Sequence, residues 1–195
     1  MRTGVFGGSF DPPHNGHLAL CLLAFRELRL DRLLLSLSRN PFKTASCASD
    51  AHRLGMASLL VAEINRSGGN ALLDTWEIER DAPSYTVELL RRLRREYPDD
   101  ELFLIVGEDS YRDMPRWREC GHIPELCSVA VFGRPHLGAS GDAATPEKPL
   151  PARFVDFDMP VSATGVRDLL AKKEPVAHLL PRAVADYIEA NGLYR

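Results

Sequence analysis

Residues 7–17 read GGSFDPPHNGH and follow an apolar start at Val5 and Phe6. A helical pattern of apolar residues then begins at the second histidine, His17. Glycines at such a strand-to-helix turn allow the backbone to approach a bound group closely. The start of a helix adds unpaired N–H groups and a partial positive charge, which favour phosphate. The stretch therefore predicts a polyphosphate site at the end of the first strand.

Two histidines in this stretch, His14 and His17, are three residues apart. At the first turn of a helix this spacing brings both rings to one side, where both could carry positive charge beside one anion. Either ring alone could instead be a helix cap or a packed core ring. No Gly-Lys-Ser/Thr sequence follows and the G-x-G-x-x-G spacing is missing, which excludes the Walker A loop and the dinucleotide fingerprint.

Several apolar runs lack the alternation of a half-exposed strand, as expected for parallel strands covered on both faces. They span residues 33–35, 102–106 and 129–132. Helical patterns alternate with them, at residues 54–64, 87–97 and 181–192. The order predicts an α/β fold with a doubly wound, mainly parallel sheet and helices on both faces. Ligands of such folds bind beyond the carboxyl ends of the strands.

Composition limits the possible classes. The 195 residues, 45% of them hydrophobic, suit a single domain spanning residues 1–195. A net charge of −3 argues against a nucleic-acid scaffold. The apolar stretch at residues 18–25 is too short to cross a membrane. Because the first strand begins almost at Met1, no secretory signal is expected, and we predict a cytoplasmic location.

The four cysteines form no C-x-x-C pair or metal-binding spacing, so we expect free thiols and no zinc. Residues 134–150 are rich in Gly, Pro and Ala, and form either a lid or a plain surface loop. Four arginines between residues 91 and 95 lie on an amphipathic helix, where a solvated face is expected rather than a nucleic-acid patch. The oligomeric state is left open.

The stretch at residues 7–17 resembles the signature of nucleotidyltransferases that carry a His-x-Gly-His motif. VSATGVR, residues 161–167, resembles the second phosphate-binding signature of that superfamily. Four further segments are similar to one branch, the bacterial nicotinate-nucleotide adenylyltransferases: residues 82–86 (APSYT), 107–110 (GEDS), 115–117 (PRW) and 180–194. The similarity covers nearly the whole chain, and the segments occur in the family order.

This resemblance implies a Rossmann-like fold of the adenylyltransferase type. It also implies transfer of the adenylyl group of ATP to nicotinate mononucleotide, giving deamido-NAD and pyrophosphate in NAD biosynthesis. One alternative is a sibling transferase that acts on nicotinamide mononucleotide, phosphopantetheine or a cytidylyl acceptor. Another is a regulatory nucleotide-binding module without catalysis. The segments at 84–86 and 115–117 favour the first function, and the intact His14, His17 and Arg167 speak against the last.

Direct attack of the acceptor phosphate on the α-phosphate of ATP requires positioning and charge neutralisation rather than covalent catalysis. We predict three catalytic residues: His17 at the α-phosphate, His14 at the same phosphate or at pyrophosphate, and Arg167 as a forked phosphate contact. The predicted ATP-binding residues are Gly8, Ser9, Phe10, His17, Lys43, Gly107, Asp109, Ser162, Thr164 and Arg167. Ser162 with Thr164 could equally be a plain helix cap, Asp109 could cap a short helix, and Lys43 could be exposed to solvent.

The resemblance implies that Trp117 stacks on the nicotinate ring, and that Ser84, Tyr85 and Thr86 surround its carboxylate. Trp117 could instead be a core residue. Mg²⁺ is expected as the cofactor, held mainly by ATP phosphates and with no protein ligand, since Asp11 is expected to order the Pro-Pro turn. Two positions depart from the family pattern: Phe42, where a histidine is common, and Glu108, where a small residue is usual.

Overall fold

The computed structural model describes residues 1–39, 47–81, 83–133 and 150–195. Its strands are β1 (Arg2–Gly8), β2 (Arg32–Leu37), β3 (Ala71–Asp74), β4 (Glu101–Gly107), β5 (Ser128–Gly133) and β6 (Ala152–Asp156). They form one sheet in the order β3-β2-β1-β4-β5-β6, and every neighbouring pair is parallel. The predicted doubly wound parallel sheet is confirmed. The direction of strand order reverses between β1 and β4, where folds of this kind open a crevice for ligands.

The helices are α1 (Asn15–Leu28), α2 (Asp50–Arg66), α3 (Thr86–Glu96), α4 (Glu108–Asp113), α5 (Ile123–Leu126), α6 (Ala163–Ala171) and α7 (Arg182–Ala190). Short 3₁₀ turns lie at Met114–Arg116 and Cys120–His122. The prediction that α1 begins at His17 is wrong by two residues. His14 is the extended N-cap, with φ of −136°, and its carbonyl accepts the N–H of Leu18 at 3.2 Å.

Helices cover both faces of the sheet, as predicted. On β4, Ile105 packs in a core cluster that also contains Leu60 of α2. The neighbouring residue, Leu104, packs in the opposite cluster with Leu90 of α3. Successive strand residues point to opposite faces, so an uninterrupted apolar run is needed wherever both faces are covered.

A third core cluster joins α6 and α7 to α2, through Met56, Val166, Val184 and Ile188. The segment before α7 also reaches the start of α1, where Asn15 N–H donates to the carbonyl of Leu179 at 2.8 Å. The carboxy-terminal part of the chain is thereby anchored beside the GGSFDPPHNGH turn.

Two of the four arginines of α3 differ from the expected solvated face, whereas Arg95 is exposed as expected. Arg94 donates to the carbonyls of Asp100 and Leu126, at 2.7 and 2.5 Å. Arg92 pairs with Asp74, and only 17% of its side chain is exposed. These two arginines connect α3 to the sheet and to α5, because carbonyl and carboxylate acceptors lie within their reach. Across the described ranges, no helix combines the length and the apolarity needed to cross a membrane.

Candidate functional site

The first loop, residues 8–14, connects β1 to α1. Phe10 takes a left-handed backbone conformation, with φ of 47°, and its ring is 1% exposed. The ring packs against the rings of Phe6 and His17, at centroid distances of 5.8 and 5.2 Å. A Cβ at Gly8 would lie 2.9 Å from the Phe10 ring, so glycine is required there. The Phe10 side chain therefore belongs to the core, which leaves its backbone for contact with a ligand.

The structure brings the two histidines together. Their rings stack with centroids 3.7 Å apart and an interplanar angle of 23°. The backbone N–H of His14 donates to Nδ1 of His17 at 3.1 Å, so a neutral His17 ring carries its proton on Nε2. Burial lowers the pKa of His14 to about 4, so this ring is uncharged at neutral pH. In this structure His14 therefore does not carry the positive charge that the sequence allows for it.

Gly16 explains how the histidine pair fits against the helix. A Cβ at this position would lie 2.8 Å from Cγ1 of Val161 and 3.0 Å from Nδ1 of His14. Glycine therefore allows the His14 ring and the segment before α6 to approach the first turn of α1. The two loops that resemble phosphate-binding signatures thus meet at Gly16.

Asp11 organises the first loop. Its carboxylate is 4% exposed and accepts three hydrogen bonds, from the N–H groups of Cys47 and Ala48 at 2.7 and 3.1 Å and from the Tyr194 hydroxyl at 2.6 Å. Its carbonyl accepts a hydrogen bond from Arg167 at 2.7 Å. Burial and the Asp11 carboxylate raise the pKa of Tyr194, which therefore remains a donor. The expected structural role of Asp11 agrees with these contacts.

The second loop, residues 161–164, leads into the first turn of α6. The Ser162 hydroxyl accepts the N–H of Gly165 at 3.1 Å and is the N-cap. Thr164 accepts from the Arg167 guanidinium at 3.2 Å, and the other terminal nitrogen of that guanidinium donates to Asp11. The structure therefore places Arg167 between the two loops, where both terminal nitrogens of its guanidinium donate to the protein. Its contact with phosphate stays a prediction.

Arg53 of α2 is a buried positive charge that sequence reasoning missed, because an arginine inside a helical pattern is usually exposed. It is 1% exposed. One terminal nitrogen donates to the carbonyls of Ser9 and Ser38, at 2.9 and 3.0 Å, and the other donates to Asp50 at 2.7 Å. Arg53 thus ties the first loop to the end of β2.

A cleft opens at the carboxyl edge of the sheet. Its wall brings together six of the predicted binding residues: Gly8, Ser84, Tyr85, Thr86, Gly107 and Trp117. Trp117 is half-buried at this wall and also contacts the α3 side of the core. The wall includes three charged residues that sequence reasoning missed, Glu77, Asp113 and Arg118.

The wall near α3 is rich in hydrogen-bond donors. Tyr85 is the N-cap of α3 and Thr86 is its first residue, so the positive end of the helix dipole lies here. The Arg118 guanidinium lies 4.7 Å from the centre of the Tyr85 ring. The Ser84 hydroxyl is buried and has no hydrogen-bond partner among the residues that the structure describes. This arrangement suits an anionic group.

Gly107 and Asp109 lie at the turn from β4 into α4. The Asp109 side chain is 98% exposed and its carboxylate lies 3.5 Å from Arg112. Glu108, the departure from the family pattern, accepts from Arg112 at 2.5 Å and occupies the space where Gly133 has no side chain. The Glu108 carboxylate is therefore held against β5 rather than directed at Asp109.

Other predictions lie outside the described residues, namely those for Lys43 and Phe42 and for residues 134–149. Gly16 has a signal in the sequence, because it belongs to the stretch at residues 7–17 and stands between two histidines at a helix start. Tyr194 and Glu77 have none that a local pattern would reveal, since their partners lie far away along the chain.

Comparison with known proteins agrees with the fold and the site. The family model described as cytidylyltransferase-like matches residues 5–169. A probable nicotinate-nucleotide adenylyltransferase of Chlorobaculum parvum is 56% identical over 196 residues, which cover 100% of both chains. That of Chlorobaculum tepidum is 53% identical over 194 residues, which cover 100% of this chain and 99% of the relative. The nicotinic acid mononucleotide adenylyltransferase of Plasmodium falciparum, solved in complex with APC, superposes with a TM-score of 0.77. Its identity is 19%, with 99% of this chain and 96% of that chain covered, so it supports the fold alone.

A doubly wound parallel sheet, with two helix starts meeting at the strand reversal, defines the class of nucleotide-binding α/β proteins. The chain belongs to the cytidylyltransferase-like family and, within it, to the nicotinate-nucleotide adenylyltransferases, which are nucleotidyltransferases.

Proposed function

We propose that this protein transfers the adenylyl group of ATP to nicotinate mononucleotide, releasing pyrophosphate and forming deamido-NAD in NAD biosynthesis. The observation that carries this proposal is the cleft, which has Gly8, where β1 runs into the first loop, at one part of its wall and the donor-rich start of α3 at another. A mononucleotide lying in the cleft would direct its phosphate towards the first loop and its pyridine ring towards Trp117.

In the proposed reaction, a phosphate oxygen of the mononucleotide attacks the α-phosphorus of ATP. A new P–O bond forms, and the bond to the bridging oxygen of the β-phosphate breaks. The phosphate nucleophile needs no deprotonation near neutral pH, so the protein has to align the reactants and stabilise charge. Because His17 accepts through Nδ1, its Nε2–H is the group that we expect to donate to the α-phosphate.

Arg167 and the start of α6 are proposed to hold the β- and γ-phosphates, with Ser162 and Thr164 at the helix start. Charge-assisted contacts between arginine and phosphate are roughly twice as strong as neutral hydrogen bonds. His14 lies directly behind His17, and an arriving polyphosphate would raise its pKa from the value of about 4 that burial imposes. On this proposal, ATP itself induces the positive charge on His14.

The acceptor end of the cleft is proposed to bind the nicotinate carboxylate. Trp117 stacks on the ring, and Ser84, Tyr85 and Thr86 supply donors beside the carboxylate. The Arg118 guanidinium lies next to Tyr85 and also pairs with Glu88 of α3 at 3.5 Å. Glu119, the acidic residue nearest Trp117 in the sequence, is paired with Arg91 at 2.6 Å. A carboxylate is therefore favoured over an amide at this end.

Gly8, Ser9, Phe10, Gly107 and Asp109 remain our proposal for the rest of the ATP site. Phe10 would contribute its backbone, and Asp109 would accept from a ribose hydroxyl. For Mg²⁺, the three donors on the Asp11 carboxylate leave it poorly suited as a ligand. We propose that ATP phosphates and water hold the ion.

We propose a single domain spanning residues 1–195, supported by one continuous sheet and by the packing of α7 on α2. A cytoplasmic location, with small-molecule partners rather than nucleic acid or membrane, is also part of the proposal. The four free thiols suit a reducing compartment.

The function is tested by incubating the protein with ATP, Mg²⁺ and either nicotinate or nicotinamide mononucleotide at neutral pH, with chromatographic detection of the dinucleotide. An amide would place an NH₂ group against buried donors, at a cost of roughly 1–3 kcal/mol for each unpaired donor. Two such mismatches predict a preference for the acid on the order of 10²-fold in kcat/KM. Equal constants, or a preference for the amide, would favour the sibling transferase. Binding of ATP without turnover would favour the regulatory module.

A further inference from the structure

A buried carboxyl group lies in the cleft wall. Glu77 follows β3 and is 6% exposed. Ser38, at the end of β2, and Ser84, before α3, line the same cleft. Two parts of the chain, the end of β2 and the segment between β3 and α3, therefore place polar side chains at this wall.

The hydrogen bonds of Glu77 within the protein are few for a buried carboxylate. Its Oε2 accepts the backbone N–H of Arg39 at 3.4 Å, which is a long contact. The Ser36 hydroxyl also donates to the carboxylate, and the charged groups around it are Asp74 from the end of β3 and Arg53 from α2. Burial, together with the nearby Asp74 charge, raises the pKa of Glu77 to about 7. The carboxylate thus retains acceptor capacity that the described residues satisfy only weakly.

The position of Glu77 in the sheet indicates which substrate it faces. The proposed adenosine residues follow β4, whereas Glu77 follows β3, and the sheet order β3-β2-β1-β4 separates the two strands by β2 and β1. Glu77 therefore lies at the end of the cleft away from Gly107. The donor-rich start of α3, which follows β3 directly in the chain, lines the same cleft.

A charged Glu77 carboxylate at this buried site has an energetic cost, and the hydrogen bonds from Arg39 and Ser36 do not explain why a charge is kept there. A glutamine would accept the Arg39 N–H equally well without burying a charge. Carboxylates that bind ribose hydroxyls are a recurrent device of α/β nucleotide sites, because the two oxygens accept from neighbouring hydroxyls.

We propose that Glu77 is a specificity residue of the acceptor subsite, whose carboxylate accepts hydrogen bonds from the ribose hydroxyls of the mononucleotide. This inference rests on the proposed function. It assigns to Glu77 the selection of a ribosyl over a deoxyribosyl acceptor. Ser38, which lines the same cleft wall, would add a polar group on the side of the sugar.

The test compares kcat/KM for nicotinate mononucleotide with kcat/KM for its 2′-deoxy and 3′-deoxy analogues, at pH 8 and with saturating ATP. The variants are Glu77→Ala and the isosteric Glu77→Gln. Glu79→Ala is the matched control, because Glu79 is an exposed carboxylate of the same segment that accepts from the Thr75 hydroxyl at 2.6 Å. Circular dichroism and the KM for ATP are measured for each protein.

We expect the wild type and Glu79→Ala to prefer the ribosyl substrate over at least one deoxy analogue by roughly 10- to 100-fold, the range for hydrogen bonds to a charged group. Glu77→Ala should reduce that preference to within about threefold, and Glu77→Gln should reduce it partly, since a neutral acceptor remains. The KM for ATP should stay unchanged in both variants. If Glu77→Ala does not fold, the partial loss in Glu77→Gln decides the question.

An unchanged preference in a folded Glu77 variant overturns the inference and makes Glu77 a structural residue. If a Glu77 variant loses activity by the same factor on all three acceptors, the inference is likewise overturned and Glu77 is a structural residue. These outcomes differ from failure of the proposed function, in which the wild type itself forms no dinucleotide from nicotinate mononucleotide.

Discussion

Tyr194→Phe removes one hydroxyl that connects the end of the chain to the first loop. That hydroxyl donates to the Asp11 carboxylate at 2.6 Å, and Asp11 is 4% exposed. A hydrogen bond to a charged group contributes about 1.5–3 kcal/mol, and the deletion leaves one oxygen of Asp11 with the longer bond from Ala48 alone. We therefore expect the free energy of unfolding to fall by about 1.5–3 kcal/mol. For a chain of this length, this corresponds to a decrease in Tm of roughly 3–12 °C.

The same substitution should affect catalysis, because the Asp11 carbonyl accepts from Arg167. Loosening Asp11 would misplace the guanidinium that we assign to the ATP phosphates, and we expect kcat/KM for ATP to fall by roughly tenfold. The matched control is Tyr187→Phe in α7, whose hydroxyl pairs with the His52 ring at 3.1 Å. This control should lose about 0.5–1.5 kcal/mol of stability and keep the ATP kinetics of the wild type.

Urea unfolding and steady-state kinetics, measured on both variants in the same buffer, separate the two effects. If Tyr194→Phe retains wild-type stability, the hydroxyl does not stabilise Asp11. If it loses stability but keeps kcat/KM for ATP, then Asp11 does not position Arg167, and the connection between the chain end and the ATP site is refuted.

Three further predictions concern the site directly. His17→Ala should leave ATP binding measurable by calorimetry but lower turnover by roughly 10²–10³-fold, as for loss of a preorganised charge-stabilising donor; near-normal turnover would exclude His17 from the mechanism. Arg167→Lys should raise the KM for ATP, because lysine lacks the fork that reaches Asp11 and phosphate together, and unchanged kinetics would make Arg167 a surface residue. Because burial raises the pKa of Glu77 from its ordinary value of 4.5 to about 7, the folded state binds this proton more tightly than the unfolded chain. Its contribution to stability is therefore lost as pH rises, by about 3 kcal/mol between pH 4.5 and 7. Urea unfolding of Glu77→Gln should lack this component, and equal pH slopes for the two proteins would contradict it.

Local sequence patterns predicted the central strands and the main helices. Strands that are buried on both faces are continuous apolar runs, and helices covered on one face repeat apolar residues at helical spacing. The run at residues 102–106 became β4, which is buried through its centre. The edge strands β3 and β6 were not singled out. Leu72 and Phe154 are 47% and 54% exposed there, so these strands lack the continuous apolar run of a central strand.

The predicted site residues that lie in the two loops were identifiable because glycine, histidine and helix-start residues act through short-range geometry. His14, Gly16 and His17 are neighbours in the chain. The stacking of the two histidine rings follows from the geometry of the helix that begins at Asn15. The charge state of His14 was not predictable in the same way. It depends on burial, which the surrounding core determines, and burial lowers its pKa to about 4.

The sequence by itself thus determined the family, the alternation of the central strands with helices, and the two loops that resemble phosphate-binding signatures. Only the tertiary structure decided which distant residues complete the site. The Tyr194 hydroxyl donates to Asp11, which is 183 positions away in the sequence. Arg53 donates to the carbonyl of Ser9, 44 positions away, and to that of Ser38 at the end of β2. Glu77 and Arg118 enter one cleft from different segments. Local periodicity reports the environment of neighbouring residues, whereas these contacts arise from how the elements pack around the reversal of strand order between β1 and β4.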